Sequence, residues 1–149
     1  MRSGIVLHVK VQRLAWLGVR TDRYEPTKDF VSRVLGLPLV AEEDAGLAIY
    51  SLPGADNDYV EVFRSDNPEA PFMTTGPVVG LLVDDVHAAH AEIESENLEI
   101  LEPITWARDF DGFEDATDYA WFQFRGPDGN VYCCMQGSRT DLTRPEGTA

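Results

Sequence analysis

The order strand, helix, strand, strand, strand occurs twice in this chain, and a unit used twice buries its apolar face against its copy. Residues 11–21 are rich in Leu, Val and Trp and read as the first strand. A helix follows, opened by Pro26, carrying Phe30, Val31, Val34 and Leu35 at helical spacing and closed by Gly36, with Pro38 beyond it. Residues 39–43, 47–52 and 59–64 are short apolar runs separated by turn-forming Gly, Pro, Asp and Asn, which makes three more strands. The pattern then restarts. Residues 77–83 form a strand, Asp84 or Asp85 caps a helix with the stripe Val86, Ala89, His90 and Ile93 ending near Asn97, and residues 98–104, 120–124 and 131–135 supply three strands. Gly18 and Asp22 match Gly80 and Asp84 at an offset of 62, whereas Ala48, Gly54 and Asp56 match Ala120, Gly126 and Asp128 at an offset of 72. The ten extra residues fall in 105–119, an insert carrying Asp109, Asp111, Glu114, Asp115 and Asp118.

At 149 residues the prior is one domain, here spanning 1–149, with module one at about 11–64, a connector at 65–76, module two at about 77–136 and a polar tail at 137–149. The fold class is α+β: two tandem βαβββ modules forming a curled mixed sheet, a cup with the helices packed outside. Twelve basic against 26 acidic residues give a net charge of −14, and no two Lys or Arg are adjacent, so no nucleic-acid or anionic-membrane partner is expected. Cys133 and Cys134 are neighbours in a strand and point to opposite faces, so they do not bridge. The apolar run 5–7 after Arg2 is interrupted by His8, Lys10 and Arg13, too soon for a signal-peptide core or a membrane span, and the expected location is cytoplasmic.

Val34-Leu35-Gly36-Leu37 at the end of the first helix, Val83-Asp84-Asp85-Val86 at the start of the second, and the run Gly126-Pro127-Asp128-Gly129-Asn130-Val131-Tyr132 before the last strand carry a resemblance. Over residues 11–136 the chain resembles the vicinal oxygen chelate superfamily, which contains glyoxalase I, extradiol dioxygenases, fosfomycin resistance enzymes and bleomycin-type resistance proteins. The resemblance implies a divalent metal held by His, Gln, Glu or Asp from the first and last strand of each module. Counting seven residues back from Asp22 and from Asp85 places the first-strand positions at Ala15 and Val78. The last-strand positions fall on Glu61 and, offset by 72, Cys133. One carboxylate and one thiol are a poor site for a hard cation, since an open catalytic site still needs about three protein ligands. No metal and no other cofactor is therefore expected, and whether the chain is an enzyme is left open by Ala15, Val78 and Cys133.

Strand alternation puts Tyr59, Glu61 and Phe63 on one face, and Val131, Cys133 and Met135 on another. With small residues where ligand side chains would stand, the cup should be roomy and apolar, walled by Trp16, Trp106 and Trp121 among others. Glu61 orients the ligand or serves as base; Tyr59, Phe63, Cys133, Met135 and the three tryptophans line the site. The expected ligand is a small neutral or cationic, partly aromatic molecule, and the expected function is metal-independent binding of the sequestration or resistance type. The alternative is a metal-dependent or Glu61-based lyase, isomerase or dioxygenase. His87, His90 and Glu94 lie on a helix that packs outside the cup, and Asp109-Phe110-Asp111-Gly112 lacks the closing Glu of a calcium loop, so neither set is expected to hold a metal. The insert is a solvated loop or a lid. Open sheet edges point to a homodimer, and whether the modules pair within a chain or between chains is not fixed by sequence.

Overall fold

The computed structural model describes residues 8–53, 58–74 and 76–137. Eight strands form a single sheet, β1 (Val11–Thr21), β2 (Leu39–Glu43), β3 (Leu47–Ser51), β4 (Tyr59–Arg64), β5 (Val78–Val83), β6 (Glu99–Trp106), β7 (Ala120–Arg125) and β8 (Val131–Gln136), in the order β2-β3-β4-β1-β5-β8-β7-β6. The α+β architecture is thus an open mixed sheet with two helices, α1 (Tyr24–Asp29) and α2 (Val86–Ser95). Each module pairs its first strand with its last in parallel, β1 with β4 and β5 with β8, and the modules join through antiparallel β1 and β5 of the same chain. The register makes the repeat visible. Gly18 pairs with Glu61 and Gly80 with Cys133, while Gly18 faces Val78 and Trp16 faces Gly80 across the module boundary.

Alternation divides the buried side chains between the two surfaces of the sheet. Val60, Val62, Ala48 and Tyr50 pack with Tyr24 and Val31 under α1, and Phe122, Phe124, Ala120 and Cys134 pack with Val86, Ala89 and Ile93 under α2. Tyr59, Phe63, Leu47, Ile49, Cys133 and Met135 share the cluster on the concave surface. Cys133 and Cys134 therefore occupy opposite faces, both as free thiols, and burial pushes the Cys134 thiol up to about 12.

Asp85 caps α2 by accepting from the His87 and Ala88 amides at 2.9 and 3.3 Å. The first helix departs from its expected form. It starts at Tyr24 and widens to a π-helical turn, Phe30–Val34, before Gly36 at φ +72° ends it. Only Val31 of the expected stripe is buried; Phe30, Val34 and Leu35 are exposed, as is Leu39 on the edge strand β2. The turn 126–130 closes with a Gly126 amide donating to the Asn130 carbonyl at 2.8 Å. Its module-one counterpart at 54–57, including the repeat residues Gly54 and Asp56, lies outside the described residues, as do the run 5–7 and the tail beyond Gly137. No helix among the described residues is long and apolar enough to cross a membrane.

Candidate functional site

The concave surface carries a cluster of aromatic and aliphatic side chains, and Trp16 occupies its floor. Trp16 is only 6% exposed, and its indole lies across the two glycines of the module boundary. A β-carbon on Gly18 would stand 2.2 Å from Trp16 Cη2, and one on Gly80 would stand 2.6 Å from Trp16 Cβ. The indole thus fills the floor where the two modules meet. From one side the connector adds Met73, Ala70 and Phe72; from the other the insert adds Ala107, Ala116 and Tyr119. Arg20 fastens the connector by donating to the carbonyls of Ser65, Asn67, Ala70 and Glu69, the Asn67 and Ala70 bonds being 2.9 and 2.8 Å. The insert keeps its small apolar residues inward and Asp109, Asp111, Glu114, Asp115 and Asp118 in solvent, which is the side-chain distribution of a cover over the cup.

The sheet register corrects one position. β1 carries an irregular step between Leu14, which faces Leu81, and Trp16, which faces Gly80, and Ala15 sits within that step. The equivalent of Val78 under the module symmetry is Trp16, because the pairs Gly18 with Val78 and Trp16 with Gly80 exchange when the modules are swapped. Ala15 is buried in the same cluster but is not the symmetric position. The four positions facing the centre of the cup are therefore Trp16, Val78, Glu61 and Cys133.

Those four do not suit the divalent metal that the fold family implies. Trp16 and Val78 offer no ligating atom, which leaves one carboxylate and one thiol, one donor fewer than open catalytic sites use. Among the described residues no group of three or more His, Cys, Asp and Glu side chains is placed to hold a metal. His90 rests edge-on against Phe122 at 5.0 Å with Nδ1 3.2 Å from Glu94, and His87 lies 5.9 Å from Trp106, all on the helix side.

The structure brings Glu61, Tyr59, Phe63, Cys133, Met135, Trp16 and Trp121 to the concave surface. Glu61 is 5% exposed, between Tyr59 and Phe63 along β4 and opposite Ile49 on β3 and Gly18 on β1. Trp106 does not join them. It belongs to β6 and packs in the α2 cluster, with the Arg108 guanidinium 4.4 Å over its ring, so its assignment as a wall of the cup is corrected. Alternation along β6 is broken twice, between Ile100 and Glu102 and between Glu102 and Thr105. Ile100, Ile104 and Trp106 face α2.

Those same breaks turn Glu102 inward, a residue that spacing alone assigns to the other face. Its carboxylate accepts from Trp121 Nε1 at 2.7 Å. The available sequence signal was Trp121 itself, since a half-buried indole N–H needs an acceptor. Burial holds the Glu102 carboxyl above the usual range, with the Trp121 bond pulling the other way. A carboxyl raised on folding favours the folded state fully only below its unfolded value, and that contribution is lost as pH rises through the folded one. Glu102→Gln, which keeps an acceptor for Trp121, should therefore raise the unfolding temperature by a few degrees at pH 7 and leave it unchanged at pH 4. Equal gains at both pH values in thermal melts would contradict a desolvated carboxylate. Outside the cup, a cleft of about 510 Å³ is lined by Asp22, Arg23, Tyr24, Glu25, Arg64 and Asp66, of which Arg64 Nε pairs with Asp66 at 2.5 Å.

Residues 13–133 match the family profile described as Glyoxalase/Bleomycin resistance protein/Dioxygenase superfamily. Among curated proteins no sequence matches. Similar solved structures include the Mn(II)-bound glyoxalase from Novosphingobium aromaticivorans, at 22% identity and TM-score 0.64 over 94% of this chain and 45% of that one. Methylmalonyl-CoA epimerase from Mycobacterium tuberculosis aligns at 17% identity and TM-score 0.62, covering 90% of this chain and 93% of its own. A superfamily member from Vibrio splendidus 12B01 aligns at 15% identity and TM-score 0.58, covering 84% and 98%. At these identities the structural matches establish the fold.

Proposed function

Because the chain belongs to the glyoxalase/bleomycin resistance protein/dioxygenase superfamily, we propose that it is a small-molecule binding protein of the sequestration or resistance type whose cup works without a resident metal. The observation that carries this reading is the donor set. Trp16 and Val78 stand at the two first-strand positions, and the Trp16 indole fills the space between the modules. The ligand is neutral or cationic and partly aromatic: the net charge of −14 and the exposed acids of the insert oppose an anion, and the concave surface is built from aromatic and aliphatic side chains. Access requires the insert 107–119 to lift, since Ala107, Ala116 and Tyr119 pack into the cluster they cover. The same reading includes a homodimer in a cytoplasmic setting. The open edge of β2 with exposed Leu39, and the exposed Phe30, Val34 and Leu35 of the preceding helical segment, supply apolar side chains for a second copy, and sedimentation at a mass near 16.6 kDa would remove the dimer.

Two measurements test the function. Protein purified without chelator should carry no stoichiometric Fe, Mn, Ni or Zn, and a panel of neutral and cationic aromatics should quench tryptophan fluorescence where small anions do not. A charge-assisted contact to Glu61 predicts that Glu61→Gln weakens a cationic ligand by roughly tenfold to a hundredfold with the fold intact. One bound metal with Glu61 among its ligands would favour instead a metal-dependent lyase, isomerase or dioxygenase, the reading supported by Glu61 at its family position and by the Mn(II)-bound glyoxalase among the structural relatives.

A further inference from the structure

Among the described residues, module two holds a buried acceptor that lacks a donor. Gln123 on β7 is 6% exposed, and its Oε1 is sealed from solvent without a hydrogen-bond partner among the described residues. Folded proteins pair nearly all such atoms, so one left over is a place that an incoming donor can fill. Two of its neighbours are engaged elsewhere. Trp121, two residues earlier on the same face, spends its single N–H on Glu102, and Cys133, the register partner on β8, directs its thiol to the Cys134 carbonyl at 3.8 Å.

Beside this acceptor lies an aromatic shelf whose occupant is half in water. The Phe110 ring, at the tip of the insert, stacks on Trp121 at 6.1 Å and 18°, with Tyr119 against the same indole at 5.3 Å. Phe110 is 42% exposed, so its hold on the shelf is incomplete. A ligand ring of similar size that also brought a donor would bury the same area and pair Gln123 as well.

We propose that Trp121, Tyr119, Gln123 and Glu102 form a ligand subsite in which a planar, neutral or cationic aromatic ring replaces Phe110 on Trp121 and donates an N–H or O–H hydrogen bond to Gln123 Oε1. The proposal rests on the binding reading above and specifies its ligand. It is separable from the role of Glu61. Glu61 belongs to β4 of module one and Gln123 to β7 of module two, so the two contacts are removed by different substitutions. Glu102 lies across from Gln123 in register, with one oxygen on Trp121, and holds the indole plane in place for stacking.

The probes are benzimidazole and 1-methylbenzimidazole, equal in shape except for the ring N–H, titrated calorimetrically into the full chain at pH 7.5. Benzimidazole should bind about tenfold more tightly than its methyl counterpart. Gln123→Met keeps the side-chain length and removes the orphan carbonyl; it should abolish that difference while the unfolding temperature holds or rises. Phe110→Ala should tighten both probes alike by vacating the shelf. Should Gln123→Met misfold, the Gln123 side-chain amide resonance of the unmodified protein should shift with benzimidazole and stay in place with the methyl compound. Equal affinity of the two probes, an unmoved Gln123 resonance, or no binding of either probe even to Phe110→Ala overturns the subsite. If panel ligands still respond to Glu61→Gln in that case, the binding function stands and only this subsite falls; if nothing binds, both fall.

Discussion

Gly18→Ala is expected to destabilise the protein by about 3 kcal/mol, the upper part of the range for overpacking a core, and to lower the unfolding temperature by roughly 6–12 °C. The added methyl would lie 2.2 Å from Trp16 Cη2, 2.7 Å from Cζ2 and 2.9 Å from Cζ3, so it meets the face of a ring rather than one atom. The ring has little room to swing, since its inner end is hemmed in at Gly80, where an added β-carbon would stand 2.6 Å from Trp16 Cβ and 2.8 Å from Met135 Cε. Shrinking the indole should relieve the clash. In the Gly18→Ala background, Trp16→Leu should recover part of the loss, although Trp16→Leu alone is destabilising because it leaves a cavity at the module boundary. The two changes must therefore couple favourably in a double-mutant cycle. A Gly18→Ala protein within about 1 kcal/mol of the parent, or strictly additive effects, would mean that Trp16 does not occupy the floor of the cup.

Placing histidines at the two first-strand positions, Trp16 and Val78, should convert the cup into a metal site. Trp16→His with Val78→His adds two imidazoles beside Glu61 and Cys133, reaching the three or four donors that zinc takes. Protein dialysed against zinc and freed of excess by gel filtration should then retain about one equivalent, and under the metal-free reading the parent should retain none. Ala15→His with Val78→His is the control, because Ala15 falls in the irregular step of β1 and is not the symmetric partner of Val78. If the Ala15 pair binds as well as the Trp16 pair, or a folded Trp16 pair binds no zinc, the register assignment of the site is wrong.

Much of this architecture was readable from local pattern. The strand and helix order, the offset repeat, the Asp85 cap, the opposed faces of Cys133 and Cys134 and the placement of His90 on the helix side follow from short-range periodicity, which depends on neighbours in sequence and survives folding. The resemblance to the superfamily rested on the same segments, and the family profile covers residues 13–133. The concave positions of Glu61, Tyr59, Phe63 and Met135 also follow from counting by two along an unbroken strand.

Counting by two fails where a strand takes an extra step. The irregularity at Ala15 hands the central position to Trp16, and the two in β6 send Trp106 to the helix side and Glu102 into the cup. Such steps are set by the partner strand, whose hydrogen-bonding register cannot be read from the bulged strand alone. The first helix shows a related limit: its apolar spacing is real, yet Phe30, Val34 and Leu35 stay exposed because the π-helical turn changes which residues share a face. Sequence determined the repeated fold, the acidic surface and the shortage of hard metal donors, all properties of residue type and local order. Only the tertiary structure decided that the indole of Trp16 fills the module boundary, that connector and insert close over it, and that Gln123 keeps an oxygen unpaired among the described residues, because each depends on which atoms meet across strands far apart in the chain.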